Sequence, residues 1–152
     1  MAQDHHVITV TETIVVAATP EAVFDYTQDF ARRPEWDAGI VETTIVGDSP
    51  RAVRVRIRGL GSATVVYQLD RRPERTSAAF TDVRSAWITG GGGSWQYEPI
   101  AGGTRWQQTN SLVLKRRGFS RLLVPIMERS LRRSTRMAMA EAKRRLEAAR
   151  AS

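Results

Sequence analysis

Cysteine is absent from this 152-residue chain, and that single absence removes thiolate metal sites, thiol nucleophiles and a disulfide scaffold together. Histidine is nearly absent as well. His5 and His6 are the only two, and both fall in an N-terminal tail, residues 1–6, expected to be disordered; a histidine-based triad or a zinc site is therefore not expected, and no metal or cofactor is assigned. Lysine stands only at Lys115 and Lys143, so the formal charge of +7 is carried by arginine. No run of about 18 uncharged apolar residues occurs, and the start lacks the basic, apolar and small-residue order of an export signal. The chain reads as a cytoplasmic protein. What is present is enough apolar content, 41%, for one domain with a real core, placed at residues 7–149 with a short tail at 150–152.

Residues 7 to 18, VITVTETIVVAA, are rich in β-branched side chains, and Ile8, Val10, Ile14 and Val16 share one parity. That spacing predicts a strand with one buried face, which also carries Glu12. Thr19 is placed to cap a helix that begins with Pro20 and runs to about residue 28. The stretch DFARRPEWDAG reads as a second short helical turn interrupted by Pro34. Six further β-runs follow, from IVETTIVG to TRWQQTNSLVLK, with GDSP, RRPE and IAGG among the turns. Short turns between close strands imply an antiparallel meander. In RAVRVRIRG the alternation turns Val53, Val55 and Ile57 inward and lines Arg54, Arg56 and Arg58 on a wet outer face.

From about Gly118 the period changes to that of a long amphipathic helix. Its inner side is read as Leu123, Leu131, Ser134, Met137, Ala138, Glu141, Ala142 and Ala149. Its outer side is read as Arg129, Arg132, Arg133, Arg136, Lys143 and Arg144. The middle of the inner side is small and polar, with Ser130, Ser134 and Ala138 where a tight core would prefer leucine or isoleucine, and missing volume there points to an internal space. The last strand places Gln108 and Asn110 on the same face as Trp106, Leu112 and Leu114. Polar groups facing inward need partners, so Glu12, Gln108 and Asn110 suggest water or ligand inside.

The glycine run in WITGGGGSWQYEP lacks the lysine and hydroxyl residue of a phosphate loop and opens no helix. It is read as a strand or bulge whose side chains are removed, bending the sheet and enlarging the space beside the helix, with a mobile loop at the rim as the alternative.

The stretches VAATPEAVFDY, FARRPEW and WQYEPIAGGTRW, followed by the long basic helix, resemble the START-like (SRPBCC) superfamily, also called the helix-grip or birch-pollen-allergen fold. Within it the chain looks like the bacterial polyketide cyclase/dehydrase and lipid-transport group. The resemblance implies an α+β fold: a curved seven-stranded antiparallel sheet wrapped around the C-terminal helix, two short helices between strands 1 and 2, and a pocket between sheet and helix. It implies a small hydrophobic ligand, such as a lipid or polyketide. Candidate ligand contacts are Glu12, Trp36, Tyr67, Trp87, Trp95 and Tyr97, together with Trp106, Gln108, Asn110 and Leu112, and on the helix Ser130, Ser134, Met137 and Ala138. Trp36 falls where the family places the cavity mouth.

Three functional classes follow. A non-catalytic binder sequesters the ligand by apolar burial. A cyclase or dehydratase would use the same cavity, with Glu12 as a weak candidate base whose pKa desolvation raises; the bland reading pairs Glu12 with Arg145 or solvent. A protein- or ribosome-interaction module would use the surface. The two arginine-rich surfaces lie on opposite sides, so a nucleic-acid groove is not expected, although transient contact of the helix with an anionic membrane during ligand transfer stays open.

Overall fold

The computed structural model describes residues 5–71 and 74–152 and, for residues 69–71, the backbone alone. Residues 1–4 of the expected tail, and two residues of the RRPE turn, lie outside the described residues. The chain forms β1 (His6–Val16), α1 (Pro20–Thr27), α2 (Arg33–Trp36), β2 (Ile40–Asp48), β3 (Arg51–Ile57) and β4 (Gly61–Arg71). It continues with β5 (Arg75–Arg84), β6 (Ile88–Ile100), β7 (Gly103–Leu114) and α3 (Ser120–Ala151). One antiparallel sheet runs in the order β1-β7-β6-β5-β4-β3-β2, and α3 lies closest to β1. Among the described residues no helix is long and apolar enough to cross a membrane.

Local chemistry accounts for most boundaries. The Thr19 hydroxyl accepts from the Ala22 N–H at 3.2 Å and opens α1, with Pro20 in its first turn. Pro34 likewise sits in the first turn of α2. It therefore starts this helix, where an interruption was expected, because its missing N–H is unneeded there. Pro125 lies inside α3, which continues past it for 32 residues in all, about 48 Å. His6 is already in the ladder, paired with Leu114, so β1 begins inside the expected tail.

The inward parity holds along β1, β3, β6 and β7, where Ile8, Val10, Val53, Val55, Trp95, Tyr97 and Trp106 are buried. On the wet side Thr9 meets Ser111 and Thr11 meets Thr109 through their hydroxyls. The arginine row of β3 is largely engaged: Arg54 reaches Asp82 at 2.6 Å, Arg56 reaches Glu42 at 3.2 Å, and Arg58 donates to the Ala38 carbonyl.

The helix phase differs from the sequence reading. Ala138 and Ala142 face the sheet as expected, but Thr135 and Met139 join them there, whereas Met137 and Ala149 are exposed. Arg132 and Arg136, expected on the outer side, turn to Glu12 on β1, and Lys143 donates to the Val15 carbonyl at 2.7 Å. Long aliphatic stems let these cations lie along the β1 seam, a geometry that residue-type periodicity does not separate from outward exposure.

The buried side chains form two clusters. One gathers Trp36, Tyr97 and Trp106 with α1 and the C-terminal half of α3; the other joins Ile8, Val10, Ile88, Leu112 and Leu114 to Val124, Met127 and Leu131 of its N-terminal half. Between them lies the glycine run, fully within β6. Pairing with β7 shifts register between Ile88 and Gly90, while pairing with β5 ends at Ala79 opposite Gly92. A Cβ at Gly91 would sit 2.5 Å from the Ser111 carbonyl oxygen and 2.9 Å from the Phe80 ring, and one at Gly93 would meet the Trp95 indole at 2.9 Å. Two rings thus lie against backbone that no larger residue leaves open. Gly91→Ala is expected to destabilise the fold by about 1–3 kcal/mol, read as a lowered thermal midpoint, because a carbonyl cannot swing aside as a side chain can.

Candidate functional site

At the seam of the two clusters the sheet and α3 enclose a cavity of about 120 Å³. Its sheet side is Val55, Val65, Phe80, Trp95 and Leu112, with the backbone of Gly92 and Gly93. Its helix side is Leu131, Ser134, Thr135 and Ala138, and Gly39 just before β2 and Ile40 at its start add to the wall. Apolar cavities of roughly 150 Å³ hold a benzene-sized molecule, so this conformation offers room for about one ring.

Two polar groups come from α2 and its C-cap. The Arg33 Nε donates to Asp37 Oδ2 at 3.0 Å, and both side chains reach the cavity wall. Spacing of i to i+4 across Pro34 brings them together. The guanidinium also donates to the Thr27 carbonyl at 3.4 Å and lies 4.3 Å from the Trp36 ring centroid and 5.8 Å from that of Trp95. A cation that is only 5% exposed needs such a partner, and here it has a carboxylate and aromatic faces.

A second polar line crosses from sheet to helix. Gln108 Nε2 donates to Asn110 Oδ1 at 3.3 Å, Asn110 Nδ2 donates to Thr135 Oγ1 at 2.9 Å, and Thr135 donates to the Leu131 carbonyl at 2.8 Å. Gln108 Oε1 and Trp95 Nε1 are buried and have no hydrogen-bond partner. They belong to residues directly opposite one another in the β6–β7 register, both on the cavity wall. Each such buried, unmet group costs about 1–3 kcal/mol.

Behind Trp95, which stacks on Tyr67 at 6.3 Å, a closed network surrounds Gln28. The Tyr67 hydroxyl donates to Gln28 Oε1 at 2.7 Å, Gln28 Nε2 donates to the Tyr97 hydroxyl at 2.6 Å, and Thr27 meets the same hydroxyl at 2.7 Å. Burial pushes the Tyr97 phenol up to about 12, against the lowering effect of the Thr27 and Gln28 hydrogen bonds.

The expected ligand contacts divide accordingly. Trp95, Gln108, Asn110, Leu112, Ser134 and Ala138 line the cavity. Tyr67, Tyr97 and Trp106 are buried core behind it, with Tyr97 stacked on Trp106 at 6.4 Å. Trp36, expected at the cavity mouth, is buried edge-on against Trp106 at 5.8 Å. Trp87, Ser130 and Met137 are not on the wall; Trp87 lies outside under Arg117, and Ser130 and Met137 face solvent because the helix is turned from the expected phase. Sequence reasoning missed Arg33, Asp37, Phe80, Leu131 and Thr135. The Arg33 and Asp37 spacing around Pro34 was the available signal.

Glu12 is likewise outside the cavity. Its carboxylate accepts from Arg132 at 3.0 Å and Arg136 at 2.9 Å, the two cations that replace the expected Arg145. Burial pulls its pKa up, but the hydrogen bonds and charges of Arg136 and Arg132 outweigh that pull and hold it below the ordinary value. This is opposite to the raised pKa expected of a base at this position.

The sequence matches the family model described as polyketide cyclase / dehydrase and lipid transport over residues 7–147. The chain belongs to this family. Its fold is shared with solved structures. The ZhuI aromatase/cyclase from a Streptomyces species superposes with a TM-score of 0.78 at 16% identity, over 93% of this chain and 94% of that one. A START superfamily protein from Mycobacterium smegmatis gives 0.66 at 19% identity, over 94% and 97%. A norcoclaurine synthase point mutant from Thalictrum flavum gives 0.68 at 9% identity, over 97% and 98%. At such identities the likeness establishes the fold alone. No curated protein matches the sequence.

Three measurements test this geometry. Asp37→Ala leaves Arg33 buried without its carboxylate and is expected to destabilise by about 3–5 kcal/mol in denaturant unfolding. Glu12→Gln is expected to cost about 1 kcal/mol at neutral pH. Because the folded pKa of Glu12 is depressed, that contribution is present above its unfolded value and fades as pH falls through the folded one, so the gap between E12Q and wild type should close in acid. Tyr97 behaves oppositely. Its raised pKa gives stability that is full below pH ~10 and falls as pH rises toward about 12, by roughly 2–3 kcal/mol, a slope that Tyr97→Phe should flatten in alkaline unfolding curves.

Proposed function

We propose that this family member binds a small apolar or amphipathic molecule, lipid- or polyketide-like, in the cavity between sheet and α3. The supporting observation is a mostly apolar cavity wall on which Trp95 and Gln108, opposite one another in the sheet, each carry a buried polar atom without a partner. A hydroxyl- or carbonyl-bearing ring would satisfy them once the two side chains turn toward it. Burying roughly 200 Å² of ligand at about 25 cal/mol per Å² supplies ~5 kcal/mol, a Kd near ~0.2 mM, so tighter binding requires those hydrogen bonds or a ligand that extends past the rim.

A second reading, a cyclase or dehydratase on the same cavity, is favoured by one observation: Asp37 places a carboxylate on the wall, which Glu12 does not. Proton transfer in that reading passes through Asp37.

Native mass spectrometry of protein taken from its own cells, with extraction of the bound fraction, tests the binding reading. A co-purifying apolar compound that raises the thermal midpoint of wild type, and not of Ser134→Phe, is the expected result. Ser134 sits on the wall and is exposed, so a ring there narrows the cavity without rebuilding the core. Protein that is reproducibly empty, and whose midpoint no apolar compound moves, overturns it.

A further inference from the structure

The outer side of α3 is apolar as well as basic. Leu122, Ile126, Arg129, Arg133 and Met137 follow one another at spacings of four, three, four and four residues, which places them in one stripe directed away from the sheet. Leu122 is 77% exposed, Ile126 63% and Met137 60%, and Phe119 just before the helix is 48% exposed. A helix that already buries Val124, Met127 and Leu131 against the sheet has no folding reason for a second apolar side.

The arginines of this stretch differ from their neighbours in one respect. Arg132 and Arg136 are held by Glu12, and Arg144 and Arg145 by Glu141. Arg116, Arg117, Arg121, Arg129 and Arg133 have no carboxylate partner among the described residues, and all five are exposed. Five unneutralised cations surround protruding aliphatic side chains.

We propose that this stripe docks the protein on an anionic lipid bilayer. Guanidinium groups match lipid phosphates, and leucine, isoleucine, methionine and phenylalanine side chains enter the boundary with the acyl chains. A second copy of the chain is a poor occupant, since a two-fold contact through the stripe brings arginine against arginine. A nucleic acid would use the cations and leave the aliphatic side chains without a role. Docked this way, α3 presents Leu122 and Ile126 to the bilayer and, from its opposite side, Leu131, Thr135 and Ala138 to the cavity.

The test is co-sedimentation of the full chain with phosphatidylcholine vesicles and with vesicles that also contain phosphatidylglycerol. Binding only to the anionic vesicles, weakened by salt, is expected. Leu122→Ser with Ile126→Ser should weaken it about tenfold. Arg129→Glu with Arg133→Glu should weaken it about a hundredfold or more. All four positions are exposed, so thermal midpoints of the variants should stay near wild type. Three results overturn the proposal: no binding to anionic vesicles at low salt, binding that the aliphatic double variant leaves unchanged, or tighter binding to duplex DNA than to vesicles.

Discussion

Seven strands spaced about 4.8 Å apart make a sheet roughly 29 Å across, while one helix is only about 10–12 Å wide. A single helix therefore cannot cover the apolar face of a flat seven-stranded sheet. The arrangement that resolves this is a sheet that bends around α3, helped by register shifts in β2, β4 and β6, with α1 and α2 closing what remains. Curvature leaves more volume than side chains fill. The core consequently splits into two clusters, and the cavity lies where they meet.

The glycine run belongs to that same constraint. At Gly91 and Gly93 the absence of a Cβ does not simply add empty space, because the Phe80 and Trp95 rings lie where side chains would stand. Those two rings then become cavity wall, so the glycines set the shape of the space by admitting aromatic groups close to the backbone. Trp95 and Gln108 stand opposite one another in the β6–β7 pairing, and polarity enters the cavity wall from the sheet side.

Arginine serves three distinct ends in this molecule. Arg33 is buried and paired, tying α2 to the cavity wall. Arg132 and Arg136 fasten α3 to β1 through one carboxylate, a seam whose partial burial strengthens hydrogen-bonded charge pairs. The unpaired arginines of the first half of α3 make no contribution of this kind to folding, and their company of exposed aliphatic side chains sets that surface apart from the paired arginine row of β3.

The order of elements, the meander, the wet and dry faces of the strands and the caps of α1 were legible in the residues, since alternation, proline position and turn chemistry act over a few residues. So were four cavity contacts on the strands, Trp95, Gln108, Asn110 and Leu112, because strand parity carries a side chain to one face regardless of what lies opposite. The phase of α3 was not legible: Met137 and Arg136 differ in outward direction by one residue step, and only the position of Glu12 on β1 decides which cations turn inward. Nor was the pairing of Arg33 with Asp37 at the cavity, or the burial of Trp36 against Trp106, because these contacts join α2 to strands distant in the chain. Sequence by itself determined which faces are apolar and where strands and helices begin. Only the tertiary structure decided which polar groups are shut in together, since desolvation and charge pairing depend on neighbours brought together across the chain.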